Sequence, residues 1–383
     1  MLKLSLLSFL ALFTGNAAAE TIAVVGDSIS TGGASHSALF FDIDRMENVF
    51  TGKASLSIDQ ATLDFLGKEG LQAPMPPPVR LGLSPREFTH PLTWIFNSFV
   101  ASMSTQYLDM EEFSWGNLLG RMRNDTILIA ARDGEKSFQA RQQVDRILDG
   151  AKDQSLDHVF VFFTGNDICA SHPTYITSRE EYVSNINKAV RYLMKNAKPK
   201  AGALTHVWLM DPLGVSQLAT SPAIQNKKII AYGREHTCKE LQSDQLDKVM
   251  AIQPEAVDVK GQAELTVPET KGGRLGLRAI LAQIFQGGPY GLCPSLFNYH
   301  KTGSLEDLTP VSNALAGYRE GLTELAKNLN DVSPLYRVHQ LNAPSSLMFE
   351  AEDIGNDCFH LSVRGQMKIA KAVKAELKEK FSL

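Results

Sequence analysis

Thr21-Ile22-Ala23-Val24-Val25-Gly26-Asp27-Ser28 is an apolar, partly β-branched run that ends at a glycine and then presents an acid and a serine. An apolar, β-branched run of this length reads as a strand. The glycine lets the backbone turn sharply. The serine after it falls just past the carboxyl end of the strand, where open α/β sheets bind their ligands.

Similar runs recur at 126–130, 158–163, 206–210 and 336–341. Between and after them, 115–122, 137–148, 179–196, 311–329 and 365–381 carry the apolar spacing of helices. Such alternation predicts an α/β fold, a parallel sheet wrapped by helices. Two regions break the rhythm. The first, 31–112, holds the proline cluster from Pro74 to Pro78 and the aromatic residues Trp94, Phe96 and Phe99. The second, 235–299, holds Pro254, Pro268, Cys238 and Cys293. Long irregular stretches in a compact domain are insertions, serving either as covers over a site or as satellite cores. Trp94 and Phe96 are candidate substrate-binding residues, apolar enough to line an acyl groove or touch a lipid surface.

Residues 1–19 read as a secretory signal: Lys3, an apolar stretch from Leu4 to Phe13, and a small-residue end at Ala17-Ala18-Ala19. Residues 20–383 are then expected to form one domain, secreted or periplasmic. No later segment is apolar over the roughly 18 or more residues a membrane span needs. A formal net charge of -4 without blocks of Lys or Arg argues against nucleic acid as a partner.

Four cysteines, Cys169, Cys238, Cys293 and Cys358, fit an oxidising compartment and allow three pairings. Spacing does not choose among them. The preferred arrangement joins Cys238 to Cys293, both in one stretch, and leaves Cys169 and Cys358 to tie two loops together. Without a C-x-x-C motif or a Cys/His cluster, no metal site is expected.

Each candidate catalytic residue lies just past a strand. Ser28 follows the first, Gly134 the second and Asn166 the third, while Asp357 and His360 lie beyond the fifth. A serine hydroxyl becomes a useful nucleophile only when a base takes its proton, and His360 is the candidate base. Asp357 is placed to accept the other ring N–H and fix the tautomer. The backbone N–H of Ser28, the N–H of Gly134 and the amide of Asn166 are candidate donors to an oxyanion. The chain order Ser, Asp, His is one that serine hydrolases use. This chemistry needs no cofactor.

These segments resemble the blocks of the SGNH/GDSL hydrolase superfamily: Gly26-Asp27-Ser28 the nucleophile block, Gly134 the glycine block, Gly165-Asn166-Asp167 the asparagine block, and Asp357 to His360 the acid and base block. The phospholipase B-like branch is most similar, through Gly165-Asn166-Asp167-Ile168-Cys169 and Asp357-Cys358-Phe359-His360-Leu361-Ser362. Trp115-Gly116-Asn117-Leu118-Leu119 resembles the first helix of that family. The chain departs from the pattern at Ile29, in place of leucine, and in a glycine block reduced to Arg132-Asp133-Gly134-Glu135. The resemblance implies a flavodoxin-like three-layer α/β/α sandwich with a central parallel sheet, the SGNH hydrolase fold.

The expected activity is a serine esterase acting through an acyl-enzyme, a lipase or phospholipase on lipid esters, with transient contact to a membrane surface. A carbohydrate deacetylase, an acyltransferase and a non-hydrolytic binding protein on the same scaffold are the alternatives. Asp27 is expected to bond loop N–H groups. Asp211 reads first as a turn residue, and His36, His90, His172 and His300 as solvated or capping groups.

Overall fold

The computed structural model describes residues 19–33, 35, 59–71, 76–82, 111–151, 155–199, 202–231, 234–243 and 293–383. The run that opens the chain after Glu20 is strand β1 (Thr21–Gly26), with Ile22 to Val25 wholly buried. Beyond it come β2 (Val79–Arg80), β3 (Thr126–Ile129), β4 (His158–Phe162) and β5 (Thr205–Met210). A hairpin follows, β6 (Lys228–Ala231) and β7 (Arg234–Thr237), and then β8 (Tyr336–Leu341).

Six of these strands form one parallel sheet in the order β2-β3-β1-β4-β5-β8. Setting aside the short edge strand β2, the order is that of flavodoxin-like sheets, with the reversal beside β1. All five strands expected from sequence pair in it. The sixth, β2, lies inside the stretch assigned to the first insertion. Two residues of edge strand leave no periodicity to read.

Helices cover both faces, giving a three-layer α/β/α sandwich. On one side α1 (Trp115–Arg123) packs against α5 (Val363–Phe381), and on the other α2 (Ala140–Gly150), α3 (Arg179–Asn196) and α4 (Thr309–Asn330) lie side by side. Local chemistry fixes their ends. Ser114, Ser178 and Ser362 each accept a backbone N–H at a helix start, removing one unpaired donor in each case. Pro310 stands in the first turn of α4, where its missing N–H costs nothing, so this helix begins two residues before its expected start at Val311.

The core is continuous through the layers. Trp115 is buried edge-on against Phe160 at 5.6 Å and Phe162 at 5.8 Å. Across the sheet, Tyr182 and Tyr318 stack with ring centroids 4.0 Å apart between α3 and α4. Among the described residues, no helix is long and apolar enough to cross a membrane.

Candidate active site

β1 must end on a glycine. A Cβ at Gly26 would lie 2.4 Å from the Phe162 carbonyl oxygen and as close to Ser30 Oγ. The chain then turns into a short helix, Ser28–Thr31, with Asp27 as its N-cap accepting the Ile29 N–H at 3.0 Å. The second carboxylate oxygen of Asp27 accepts the N–H groups of Thr164 at 2.9 Å and Gly165 at 3.0 Å. One buried acid therefore braces the turn that carries Ser28 against the turn that carries Asn166. Burial raises its pKa to about 6, against the pull of those three N–H bonds.

Asp357 is wholly buried, and its Oδ1 accepts the backbone N–H groups of Phe359 at 3.1 Å and His360 at 2.9 Å. Its Oδ2 lies 2.6 Å from His360 Nδ1, and His360 Nε2 lies 3.1 Å from Ser28 Oγ. A carboxylate can only accept, so Nδ1 carries the proton and Nε2 offers its lone pair to the serine hydroxyl. The structure thus brings Ser28, Asp357 and His360 into one hydrogen-bonded chain. Burial by itself would lower the His360 pKa, but the charge and hydrogen bond of Asp357, with Asp133 and Asp27 farther off, raise it above the ordinary histidine value. Asp357 moves the opposite way: burial would raise it, and His360 holds it below the ordinary aspartate value.

Asn166 sits in the helical turn Gly165–Ile168 after β4. Its Nδ2 donates to the Glu135 carbonyl at 3.0 Å, which fixes the amide and leaves its second hydrogen free to donate elsewhere. Among the described residues no acceptor meets the Ser28 N–H. Ser28, Asn166 and His360 line one cavity with an apolar wall of Ile29, Leu213, Val215, Leu218, Leu296 and Phe349.

Gly134 is exposed, has a φ of 74°, and is not among the lining residues. Its left-handed turn accounts for a glycine there. Its neighbour Asp133 reaches toward Ser28, accepting a hydrogen bond from Thr31 Oγ1, whose hydroxyl also meets the Ser28 carbonyl oxygen at 3.0 Å. Trp94 and Phe96, like residues 1–18 of the expected leader and most of 36–110 and 244–292, lie outside the described residues.

The disulfides correct the expected pairing. Cys169 is bonded to Cys293, and Cys238 to Cys358. The Cys238–Cys293 bond suggested by their shared stretch is replaced by a cross-over in which each holds a different loop. Cys238 fastens the loop of Asp357 and His360, and Cys293 fastens the loop that follows Asn166. Ser295 strengthens the second attachment, donating from Oγ to the Ile168 carbonyl at 2.8 Å. Sequence proximity misleads here because the sheet brings β4 and the loop after β8 to the same end of the molecule.

The wall residues Leu213, Val215 and Leu218 were not singled out by their types, which are those of any core. Their position after β5 was the available signal, since that loop also leaves a strand's carboxyl end. Asp211, just before them, is buried and joins β5 to β8 by accepting from Gln340 Nε2 at 2.6 Å. Asp167 binds Ser137, at its N–H and its hydroxyl, and so closes the loop around Glu135.

No family model and no curated sequence matches the chain. Among solved structures it is similar to a carbohydrate acetylesterase family member from Sinorhizobium meliloti, at 10% identity and a TM-score of 0.39, covering 95% of this chain and 100% of that one. It is also similar to a carbohydrate esterase whose active site is described as displaying divergent catalytic and non-catalytic binding functions. There the identity is 10% and the TM-score 0.36, over 94% of this chain and 69% of that one.

Proposed function

We propose that the protein is an exported serine esterase that hydrolyses carboxylic esters through an acyl-enzyme. The observation that carries this reading is the chain Asp357 Oδ2, His360 Nδ1, His360 Nε2, Ser28 Oγ, at 2.6 and 3.1 Å. His360 takes the Ser28 proton as Oγ attacks the ester carbonyl carbon, and Asp357 stabilises the imidazolium so formed. The carbonyl oxygen becomes an oxyanion, received by the Ser28 N–H and the Asn166 amide, with Gly134 as a third donor if its turn closes on substrate. His360 returns the proton to the departing alkoxide. A water, deprotonated by the same histidine, then releases the acid and frees Ser28.

The apolar wall beside Ser28 favours an ester with an aliphatic acyl chain, as in lipids or phospholipids, and Trp94 and Phe96 are proposed to extend that surface. Two disulfides fit an oxidising compartment, which supports export by the leader at 1–19. The test is a series of aryl esters from acetate to laurate, with an intact phospholipid alongside. A preference for longer chains supports the lipid reading. Hydrolysis of acetate alone points to a deacetylase, and no hydrolysis of any ester returns the scaffold to a binding role.

A further inference from the structure

We propose that Gln242 is a positioning residue for the loop of Asp357 and His360, a buried amide that clamps the Cys358 carbonyl and so sets the geometry of both side chains. The inference rests on the serine esterase reading.

Gln242 is wholly buried, and its Nε2 donates to the Cys358 carbonyl oxygen at 2.7 Å. On its other side, Oε1 accepts from Gln225 Nε2 at 2.7 Å and stands 3.1 Å from His300 Nε2. An amide engaged through both its oxygen and its nitrogen cannot rotate without losing bonds, and in a dry environment each loss is expensive. Gln225 Nε2 also meets the Leu218 carbonyl at 2.5 Å, so the network runs from the apolar cavity wall to the histidine loop.

The peptide that Gln242 grips is a sensitive one. Cys358 has a φ of 58°, a left-handed conformation uncommon for a side chain other than glycine. The Cys358 carbonyl and the Phe359 N–H belong to one planar group, with oxygen and hydrogen pointing in opposite directions. Gln242 holds the oxygen, while Asp357 Oδ1 holds the N–H at 3.1 Å. Rotating this plane breaks the Asp357 bond and moves His360, whose N–H is the second donor to the same oxygen.

One helical turn delivers two attachments to Cys358. Cys238–Leu241 begins with the cysteine bonded to Cys358, and Gln242 caps its end, donating its own N–H to the Cys238 carbonyl at 2.9 Å. Lys227 holds the start of the loop through the carbonyls of Ile354 and Gly355. The opening of the second irregular stretch therefore serves as a brace behind the site.

A purely structural role is separated from positioning by counting working sites. Gln242→Met keeps the shape and removes both sets of bonds, and Gln225→Leu is the milder variant, taking away one of the two partners of Gln242 Oε1. Gln225→Leu removes the Leu218 carbonyl bond as well, but leaves His300 on Gln242 Oε1 and the Cys358 bond in place. Each is titrated with a fluorophosphonate that labels Ser28, and kcat on p-nitrophenyl butyrate is divided by the labelled fraction. The expected result for Gln242→Met is a fall of about 10- to 100-fold in kcat per labelled site, the scale of a small misplacement of reacting groups. KM should change by less, about twofold or under, since Leu213, Val215 and Phe349 of the cavity wall are not on this loop. The acid limb of kcat/KM should move to lower pH as His360 loses part of its carboxylate support, and Gln225→Leu should shift both readings in the same direction by less. Unchanged kcat per labelled site and an unchanged pH profile in both variants overturn the proposal. A wild-type protein whose Ser28 takes no label defeats the esterase reading itself, and this inference with it.

Discussion

Ser28 Oγ and His360 Nε2 stand 3.1 Å apart across 332 residues of chain. Two short turns at one end of the sheet produce that approach. Asp27 ties the Ser28 turn to β4's loop, and the Asp357 carboxylate, itself the acceptor of two backbone N–H groups, fixes which ring nitrogen faces the hydroxyl.

On the proposed mechanism, Ser28→Ala and His360→Ala are each expected to lower kcat on the order of 10⁴-fold or more with the fold kept, because members of a catalytic triad act as a unit. Asp357→Asn should cost less, since the histidine and serine remain. Circular dichroism confirms folding, and esterase activity retained in Ser28→Ala would falsify the mechanism.

The pH dependence has a definite sign. His360 accepts a proton only when neutral, and its pKa is raised above the ordinary histidine value. kcat/KM is therefore lost as pH falls through that raised pKa and is full above it. In Asp357→Asn the support disappears, so the residual activity should titrate at lower pH. A limb that stays in place would mean that Asp357 does not face the working histidine.

Asn166→Ala should reduce kcat by about 10² to 10³ with little change in KM, because a donor to developing charge acts mainly in the transition state. Steady-state kinetics on one aryl ester separate the two quantities. An effect on KM alone would make Asn166 a substrate holder.

Much of this was legible in the sequence, for reasons that differ by element. β1, β4 and β5 are buried on both faces, so their runs are continuous and easily seen, and Ser28, Asn166 and the Asp357 to His360 segment each follow a strand end. Asp27, expected to bond loop N–H groups, accepts three. Local spacing says nothing about which distant segment a loop meets, and so the disulfide partners were missed. Gln242 was invisible for the same reason: a glutamine in an irregular stretch has meaning only once the Cys358 carbonyl is beside it.

Asp27 should leave a signature in stability. Its pKa is about 6 in the fold against an ordinary 3.8, so the folded state binds more protons between these values. Stability contributed at this site falls as pH rises through that window, by on the order of 3 kcal/mol for a shift of about two units. Asp27→Asn removes the titration. Urea unfolding at pH 4.5 and pH 7 should show a smaller difference in the variant than in the wild type, and equal differences would place the titration elsewhere.

The Cys238–Cys358 bond closes a sequence separation of 120 residues and holds the residue between Asp357 and Phe359. Replacing both cysteines by serine should destabilise the protein by about 2–5 kcal/mol, as is usual for a native disulfide. Below the lowered melting point, kcat should fall further than in Cys169→Ser/Cys293→Ser, because only the first bond touches the histidine loop. Equal losses in the two double variants would assign both bonds to stability alone.

The last expectation concerns the apolar wall. Val215 and Leu218 follow β5 and face the cavity that Ser28 and His360 share, whereas Asn166 stands on the β4 side. If the acyl chain lies along this wall, filling it must shorten the chain that fits. Val215→Trp should lower kcat/KM for decanoate and laurate aryl esters by about tenfold or more, the scale of several methylenes excluded from an apolar pocket. Acetate should be nearly unaffected, because its methyl group needs none of that space. Overpacking costs typically about 1–3 kcal/mol, so the melting temperature must be read alongside. A uniform loss across chain lengths with a lower melting temperature would mean that the substitution strained the core and that the acyl group lies elsewhere.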